Sequence, residues 1–413
     1  TRPRRPVCMS SAGREARPAV LLVHCRYRLP GGEDAVFAAD RAMLEAHGHR
    51  VVTYERSNDE GGLAAKLLLP LRAVFSLKTC REVKALIRRE KIEIVHVHNT
   101  LFAVSPSVFW AARAAGVPAV QTLHNFRLFC PNGVLLRGGK VCEDCPRQKG
   151  GLFNAVRHGC YRGSRVQSAV CAFLYAFHRL LGTYKRVHLI ALTEFDKEKL
   201  LEFNARRPVF DPAKLYLRPN AAVPEGALPP LRPLAARKNQ VVFAGRLEEL
   251  KGLRTAIEAW RLLENDPAAP KLLLCGAGPL EGWARENAGE NVEFLGQISH
   301  EALCALLAES RAALAPSLCY ESFALVPAEA HAMGTPVIAS DLGNVGAMVR
   351  DGVDGLRFAP GDPEALANAV RRLPDLEAKA DPAAIRAEAV GRFGQEENYC
   401  ELAEIYQDIL VKS

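Results

Sequence analysis

No run of eighteen uncharged apolar residues occurs in this sequence, so no helix is expected to cross a membrane. The first eighteen residues, TRPRRPVCMSSAGREARP, have no apolar core and are rich in Arg and Pro. That argues against a secretory signal and for a disordered basic leader over 1–18, with Met9 as an alternative start, on a cytoplasmic protein. Zinc-finger, RNP and homeodomain patterns are missing, which makes nucleic acid the weakest candidate partner. What is present suits a globular chain: with 49% hydrophobic and 24% charged residues it is neither disordered, collagen-like nor coiled-coil. A length of 413 residues predicts two domains, three at most.

The net charge of +8 conceals an asymmetry. Residues 1–220 hold 36 basic and 18 acidic side chains, whereas residues 221–413 hold 18 and 28. A basic half beside an acidic half points to two domains with different partners; independent drift of two surfaces is the plain alternative. Anionic lipid and phosphorylated substrates suit the basic half better than nucleic acid does.

Short apolar runs alternate with longer amphipathic ones along the chain. Ala19–Cys25, Arg50–Tyr54, Ile92–His96, Val117–Leu123 and Val187–Ala191 read as strands. Asp34–His47, Lys78–Arg89 and Pro106–Ala115 read as helices between them. The second half repeats this grammar, with strands at Gln240–Ala244, Lys271–Cys275, Val292–Leu295, Ala312–Ala315 and Pro336–Ala339. Its helices are expected at Gly252–Leu263, from about His300, and at Leu325–Met333. Pro219, Pro224, Pro229, Pro230 and Pro233 crowd the stretch between the halves, which reads as a linker. The expected fold is α/β, two doubly wound parallel sheets facing each other across a cleft at their carboxyl ends. Gln395–Leu410 is an amphipathic helix that either stays on its own domain or crosses back to the first.

Several clusters suggest chemistry. Glu321 and Glu329 stand eight apart, the first in a loop and the second in the helix that begins near Leu325. Carboxylates so placed can accept hydrogen bonds from the hydroxyls of a sugar or ribose, while the backbone N–H groups of Phe323, Ala324, Leu325 and Val326 face an anion. A solvated Glu321 and a structural Glu329 are the plain alternative. Arg246 and Lys251 lie five apart in a strand-to-helix turn, where two cations can neutralise a diphosphate leaving group without a metal; isolated, they would be two surface cations. Gly31 and Gly32 let a ligand approach the backbone, or simply make a turn. His124 ends a strand, where side chains reach a cleft; His96 and His98 are weaker candidates for lining the acceptor side, and read equally well as core or surface histidines. Gly276-Ala277-Gly278 follows a strand, but the spacing to Gly282 departs from the dinucleotide fingerprint and no acidic ribose anchor follows.

Glu321-Ser322-Phe323-Ala324-Leu325-Val326-Pro327-Ala328-Glu329 through Ser340 resembles the E-x7-E region of retaining GT-B glycosyltransferases, family 4. Other landmarks follow in order: Gly31-Gly32, Thr122-Leu123-His124-Asn125, Arg218-Pro219-Asn220, Ala244-Gly245-Arg246-Leu247 with Lys251-Gly252, and Asp351-Gly352-Val353-Asp354-Gly355-Leu356. The resemblance covers roughly residues 18–412. It implies two Rossmann-like domains, an acceptor-side domain at 19–220 with a Cys-rich insert at 126–165, a linker at 221–239, a donor domain at 240–394 and a C-terminal helix at 395–413. It further implies hexose transfer from a nucleotide-diphosphate sugar to a hydroxyl with retention of configuration, with no cofactor required for catalysis. The family roles, carried over, put Arg246 and Lys251 at the diphosphate, Glu321 at the sugar, Glu329 at the ribose, and His124 at the donor sugar or its phosphate. Gly31, Gly32 and Gly276 then help to form the donor pocket. Ser322 and Ala324 stand where the family often has Gly.

Cys130, Cys142, Cys145 and Cys160 lie within 31 residues, and the C-x2-C pair is a metal-ligand knuckle. A structural zinc is one reading and reduced structural thiols the other. Leu63–Lys78 and Arg165–Arg186 are basic and apolar, fit either for an anionic membrane surface or for the core. The expected partners are a nucleotide sugar and a glycan or glycolipid acceptor, in surface polysaccharide, glycolipid or cell-envelope glycan synthesis at the inner face of the membrane. An NAD-dependent oxidoreductase and a non-catalytic, zinc-stabilised glycan-binding protein are the alternatives.

Overall fold

The computed structural model describes residues 17–26, 31–58, 70, 72–224, 226 and 228–412. Residues 1–16 of the expected leader and half of Leu63–Lys78, residues 63–69 and 71, lie outside these. The chain divides into two compact units, the described residues of Thr1–Val134, Glu143–Ala221 and Glu396–Ser413 forming one, and those of Leu135–Cys142 and Ala222–Gln395 the other.

Each unit is built on a six-stranded, wholly parallel sheet. In the first, β1 (Val20–Arg26), β2 (Val51–Ser57), β3 (Ile94–Val97), β4 (Ala119–Thr122), β7 (His188–Ala191) and β8 (Leu215–Leu217) run in the order 2-1-3-4-7-8. The two-residue strands β5 (Leu136–Arg137) and β6 (Lys140–Val141) form a separate hairpin. In the second unit, β9 (Lys238–Ala244), β10 (Lys271–Cys275), β11 (Val292–Gly296), β12 (Ser310–Ala315), β13 (Val337–Ser340) and β14 (Gly355–Phe358) run 11-10-9-12-13-14. Continuous apolar runs such as VLLVHC and KLLLC become strands here because helices cover both faces of each sheet, leaving no side polar.

The second core gathers around Trp260, fully buried, whose indole N–H donates to the Pro270 carbonyl at 2.8 Å. The first core includes the C-terminal helix Gln395–Lys412. Tyr399, Leu402, Ile405, Tyr406 and Ile409 from that helix pack with Val20, Leu22, Phe37 and Ile94, so it does return to the first unit. The helix Arg165–Leu180 buries Cys171, Leu174, Tyr175 and His178 on one side, while Val166, Phe173 and Leu180, seven apart, are 75%, 60% and 85% exposed on the other. No helix among the described residues is long and apolar enough to cross a membrane.

Candidate functional site

In an open parallel sheet, ligands bind beyond the carboxyl ends of the strands where the strand order reverses. In the second unit that point lies between β9 and β12. Arg246 follows β9, is half exposed, and pairs with Glu248 at 3.2 Å. Lys251 ends the short turn Glu249–Lys251. Behind it Gly252 takes φ +71°, and a Cβ there would lie 1.9 Å from the Pro316 carbonyl oxygen. Only glycine tolerates both, which presses this turn against the chain leaving β12. The Leu318 N–H donates to the Leu250 carbonyl at 2.9 Å across the same junction. Lys251 Nζ consequently lies 2.6 Å from Glu321 Oε2, with the two side chains 33% and 12% exposed. The Ser317 hydroxyl donates to the other Glu321 oxygen. Burial opposes the ammonium charge, but Glu321 outweighs it and the Lys251 pKa is raised.

Glu329 is buried in the helix Leu325–Ala332, and its Oε1 lies 3.0 Å from His300 Nε2. Contacts with Cys304 Sγ and Glu329 raise the His300 pKa to about 10, so the ring is an imidazolium at neutral pH. Ala324 occupies the N-cap position of that helix, with Phe323 before it and Leu325 and Val326 opening the first turn, whose N–H groups have no partner within the helix. Gly276 and Gly278 serve packing: a Cβ on them would lie 1.9 Å from Gly245 O and 2.4 Å from Leu247 O. They bring the turn after β10 against the turn that carries Arg246, so Gly276 supports the site from beneath.

In the first unit the order reverses between β1 and β3. Parallel pairing of Val97 with Gln121 brings the residues just beyond β3 and β4 side by side, and with them His98 and His124. His98 Nδ1 and His124 Nε2 are 3.0 Å apart, with ring planes within 20°. On its other side His98 Nε2 faces Asp40 Oδ2 at 3.5 Å. Asp40 accepts from both terminal nitrogens of Arg218, at 3.0 and 2.6 Å. Burial would raise the Asp40 pKa, yet the Arg218 guanidinium holds it well below the usual carboxylate range. His96 is hydrogen-bonded at both nitrogens, to Tyr406 Oη at 2.7 Å and Thr122 Oγ1 at 2.8 Å, and burial lowers its pKa to about 3. Burial, then the neighbouring imidazoles, also hold His98 and His124 well below 6.5. His96 and His98 are 0% and 2% exposed, so of the readings open in the sequence both take the core one. His124 keeps part of its surface, beside a cavity of about 20 Å³ lined by His98, Asn99, Asn125 and Tyr175, large enough for one water.

Gly31 precedes the helix Gly32–Ala46 with φ −140°, a conformation open to any residue, and a Cβ there would meet nothing within 4 Å. Neither strain nor crowding among the described residues calls for glycine at this point. Asp34 holds the helix start, accepting from the Gly31 N–H at 2.9 Å and lying 2.9 Å from His24 Nε2. A cavity of about 270 Å³, lined by Phe109, Trp110, Arg113 and Arg186 among others, lies instead at the amino ends of β4 and β7.

The structure gives no support to zinc on Cys130, Cys142, Cys145 and Cys160. Between Cys142 and Cys145 the chain passes from the hairpin into the helix Asp144–Arg147, which buries Cys145 and leaves Cys142 half exposed. A knuckle needs both sulfurs turned to one point. Among the described residues the only His, Cys, Asp or Glu group with ligand atoms within 4.8 Å of one another is Asp40, His96 and His98. There Arg218 and the bonds to Tyr406 and Thr122 already occupy the ligand atoms, and a guanidinium beside Asp40 repels a cation. Asp40, His24, His300 and Ser317 were not singled out from sequence. Their partners lie 178, 10, 29 and 4 residues away, and only Ser317 has its partner in the same loop.

Two family models match the chain, the glycosyl transferase 4-like domain over residues 31–193 and glycosyl transferases group 1 over residues 238–375. The chain belongs to this glycosyltransferase family. It is 36% identical over 167 residues to glycogen synthase of Mycobacterium tuberculosis (strain CDC 1551 / Oshkosh), covering 38% of this chain and 39% of that one. The chain thus matches about two fifths of that relative's length. Among solved structures, a glycosyltransferase from Rickettsia africae superposes with a TM-score of 0.66 at 17% identity, over 96% of this chain and 100% of the other. Anabaena HepE, solved with UDP and glucose, gives 0.60 at 16% identity, over 95% and 100%. These likenesses and the two parallel sheets establish the two-domain, Rossmann-like GT-B fold.

Proposed function

We propose that this glycosyltransferase family member transfers a hexose from a nucleotide-diphosphate sugar to a hydroxyl of a glycan or glycolipid, with retention of configuration. The observation that carries the reading is the Lys251–Glu321 pair at 2.6 Å, set beside Arg246 at the strand-order reversal of the second sheet. An ammonium has three N–H groups, so Lys251 can hold Glu321 and still donate to a diphosphate oxygen. Arg246 adds a second cation, and together they stabilise the charge that grows on the leaving phosphate. Glu321 accepts from sugar hydroxyls and Glu329 from the ribose, while the Phe323–Val326 N–H groups face the phosphates and sugar. In the transfer step the acceptor oxygen bonds to the anomeric carbon on the face from which the phosphate leaves. Its proton passes to a phosphate oxygen of the departing nucleoside diphosphate. Gly31 and Gly32 leave space for the ligand, and His124 touches the donor sugar or its phosphate. No step requires a metal.

A UDP donor is favoured by the likeness to HepE, itself solved with UDP and glucose. The acceptor is lipid-linked in this reading, presented at an anionic membrane on which the exposed face of Val166, Phe173 and Leu180 rests, flanked by Arg162, Arg165 and Arg186. Flotation with anionic vesicles at low salt should retain the chain, and no binding there removes the membrane component. The transfer itself is tested by incubating the full chain with UDP-, GDP- and ADP-sugars and following melting temperature and nucleoside diphosphate release. One sugar nucleotide should raise the melting temperature and be turned over; no response to any of them rejects the function.

A further inference from the structure

We propose that His98 is a positioning residue that locks His124 with its proton on Nε2, leaving Nδ1 bare as a hydrogen-bond acceptor for a substrate hydroxyl. The inference rests on the reading of His124 as a substrate contact and decides what kind of contact it makes.

The chain of contacts runs outward from the buried ion pair. Arg218 donates to both Asp40 oxygens, so that carboxylate stays ionised and only accepts. His98 Nε2 faces Asp40 Oδ2 at 3.5 Å and has no other hydrogen-bond partner among the described residues. A bare nitrogen lone pair aimed at a carboxylate in a dry interior is repelled, whereas an N–H is attracted. The His98 proton therefore sits on Nε2. Buried as it is, His98 is neutral, and a neutral imidazole has one N–H and one bare nitrogen. Its Nδ1 must then accept, and the group 3.0 Å away is His124 Nε2. The near-coplanar rings, 20° apart, suit an in-plane N–H to N bond. Phe37, edge-on at 5.5 Å, and His96, stacked at 4.7 Å, hold the His98 ring in place.

The consequence concerns selectivity. With Nε2 committed to donating inward, His124 offers a substrate only a lone pair. That nitrogen accepts from a sugar hydroxyl and repels a phosphate oxygen. Of the two contacts the family resemblance leaves open, sugar or phosphate, the relay selects the sugar hydroxyl.

The tautomer is read directly by long-range proton–nitrogen NMR on the full chain labelled with ¹⁵N-histidine, the His124 signals being those lost in His124→Gln. Wild type should show His124 protonated at Nε2 and bare at Nδ1. His98→Phe should convert His124 to a tautomer mixture and lower kcat/KM about tenfold, the scale of one hydrogen bond. His98→Asn places an amide oxygen near the Nδ1 position and should restore both. A His124 proton on Nδ1 in wild type overturns the proposal without any variant, as does an unchanged tautomer in His98→Phe. A wild type that turns over no sugar nucleotide defeats the proposed function instead, while the NMR result still decides the relay.

Discussion

The two units assemble charge in opposite ways. In the first, polar groups lie deep beneath the ligand-facing strand ends: a fully buried Arg218–Asp40 pair supports a row of neutral imidazoles, and only His124 reaches outward. In the second, Lys251 stands against Glu321 and His300 against Glu329, and in each pair the cation is partly exposed while the carboxylate lies nearer the interior. Buried charge confers geometry at a high cost if broken, and half-exposed charge confers reactivity with little bearing on the fold. In the proposed transfer, the first unit therefore orients and the second stabilises the departing anion.

The largest expected effect follows from that difference. Arg218→Ala leaves the Asp40 carboxylate buried without its partner and should cost about 3–5 kcal/mol in urea unfolding. Lys251→Ala, which removes a cation that is a third exposed and leaves Glu321 its bond from Ser317, should cost no more than about 1 kcal/mol. Equal costs would erase the contrast.

Acid is a second way to separate the units. His96, His98 and His124 are neutral when folded and would bind protons from pH 6.5 downward when unfolded. Their lowered folded values mean that stability is complete above pH 6.5 and falls as the pH drops through 6.5 toward about 3. At pH 5 the loss should be about 2 kcal/mol for His96 alone, seen as early amide exchange in β3 and β4 while β9 and β12 stay protected.

Much of this was legible in the sequence, and unevenly so. Lys271–Cys275 was read with its boundaries intact, and most other strands came within two or three residues, because parallel strands announce themselves as short apolar runs. Arg246, Lys251 and Glu321 were legible because a turn and a loop carry them in local motifs. The relay behind His124 was not. His98 was seen as a candidate and Arg218 as a landmark, but their partners lie 26 and 178 residues away and are brought near by sheet register and helix packing. The cysteine cluster differs: its local spacing looked like a ligand set, and among the described residues no three of its ligand atoms gather within 4.8 Å of one another.

Two smaller effects sharpen the account of the second unit. Glu329→Gln should raise the KM for the sugar nucleotide about tenfold with kcat nearly unchanged, as expected for a contact equally strong in ground and transition states. Steady-state kinetics checks it, and a fall in kcat alone would place Glu329 in the chemistry. His300, with a folded pKa of about 10 against 6.5 unfolded, adds stability that is full below pH 6.5 and lost as the pH rises through 10. Because the ring is 55% exposed, His300→Ala should flatten the alkaline limb of the melting curve by only a few tenths of a kcal/mol.

The central claim is that Arg246, Lys251 and Glu321 act on the leaving diphosphate and its sugar. The direct test is nucleoside diphosphate release from the preferred sugar nucleotide by Arg246→Ala, Lys251→Ala and Glu321→Ala beside wild type. Each variant should lose about a hundredfold or more in kcat/KM while melting close to wild type. Turnover undiminished in all three would contradict the account.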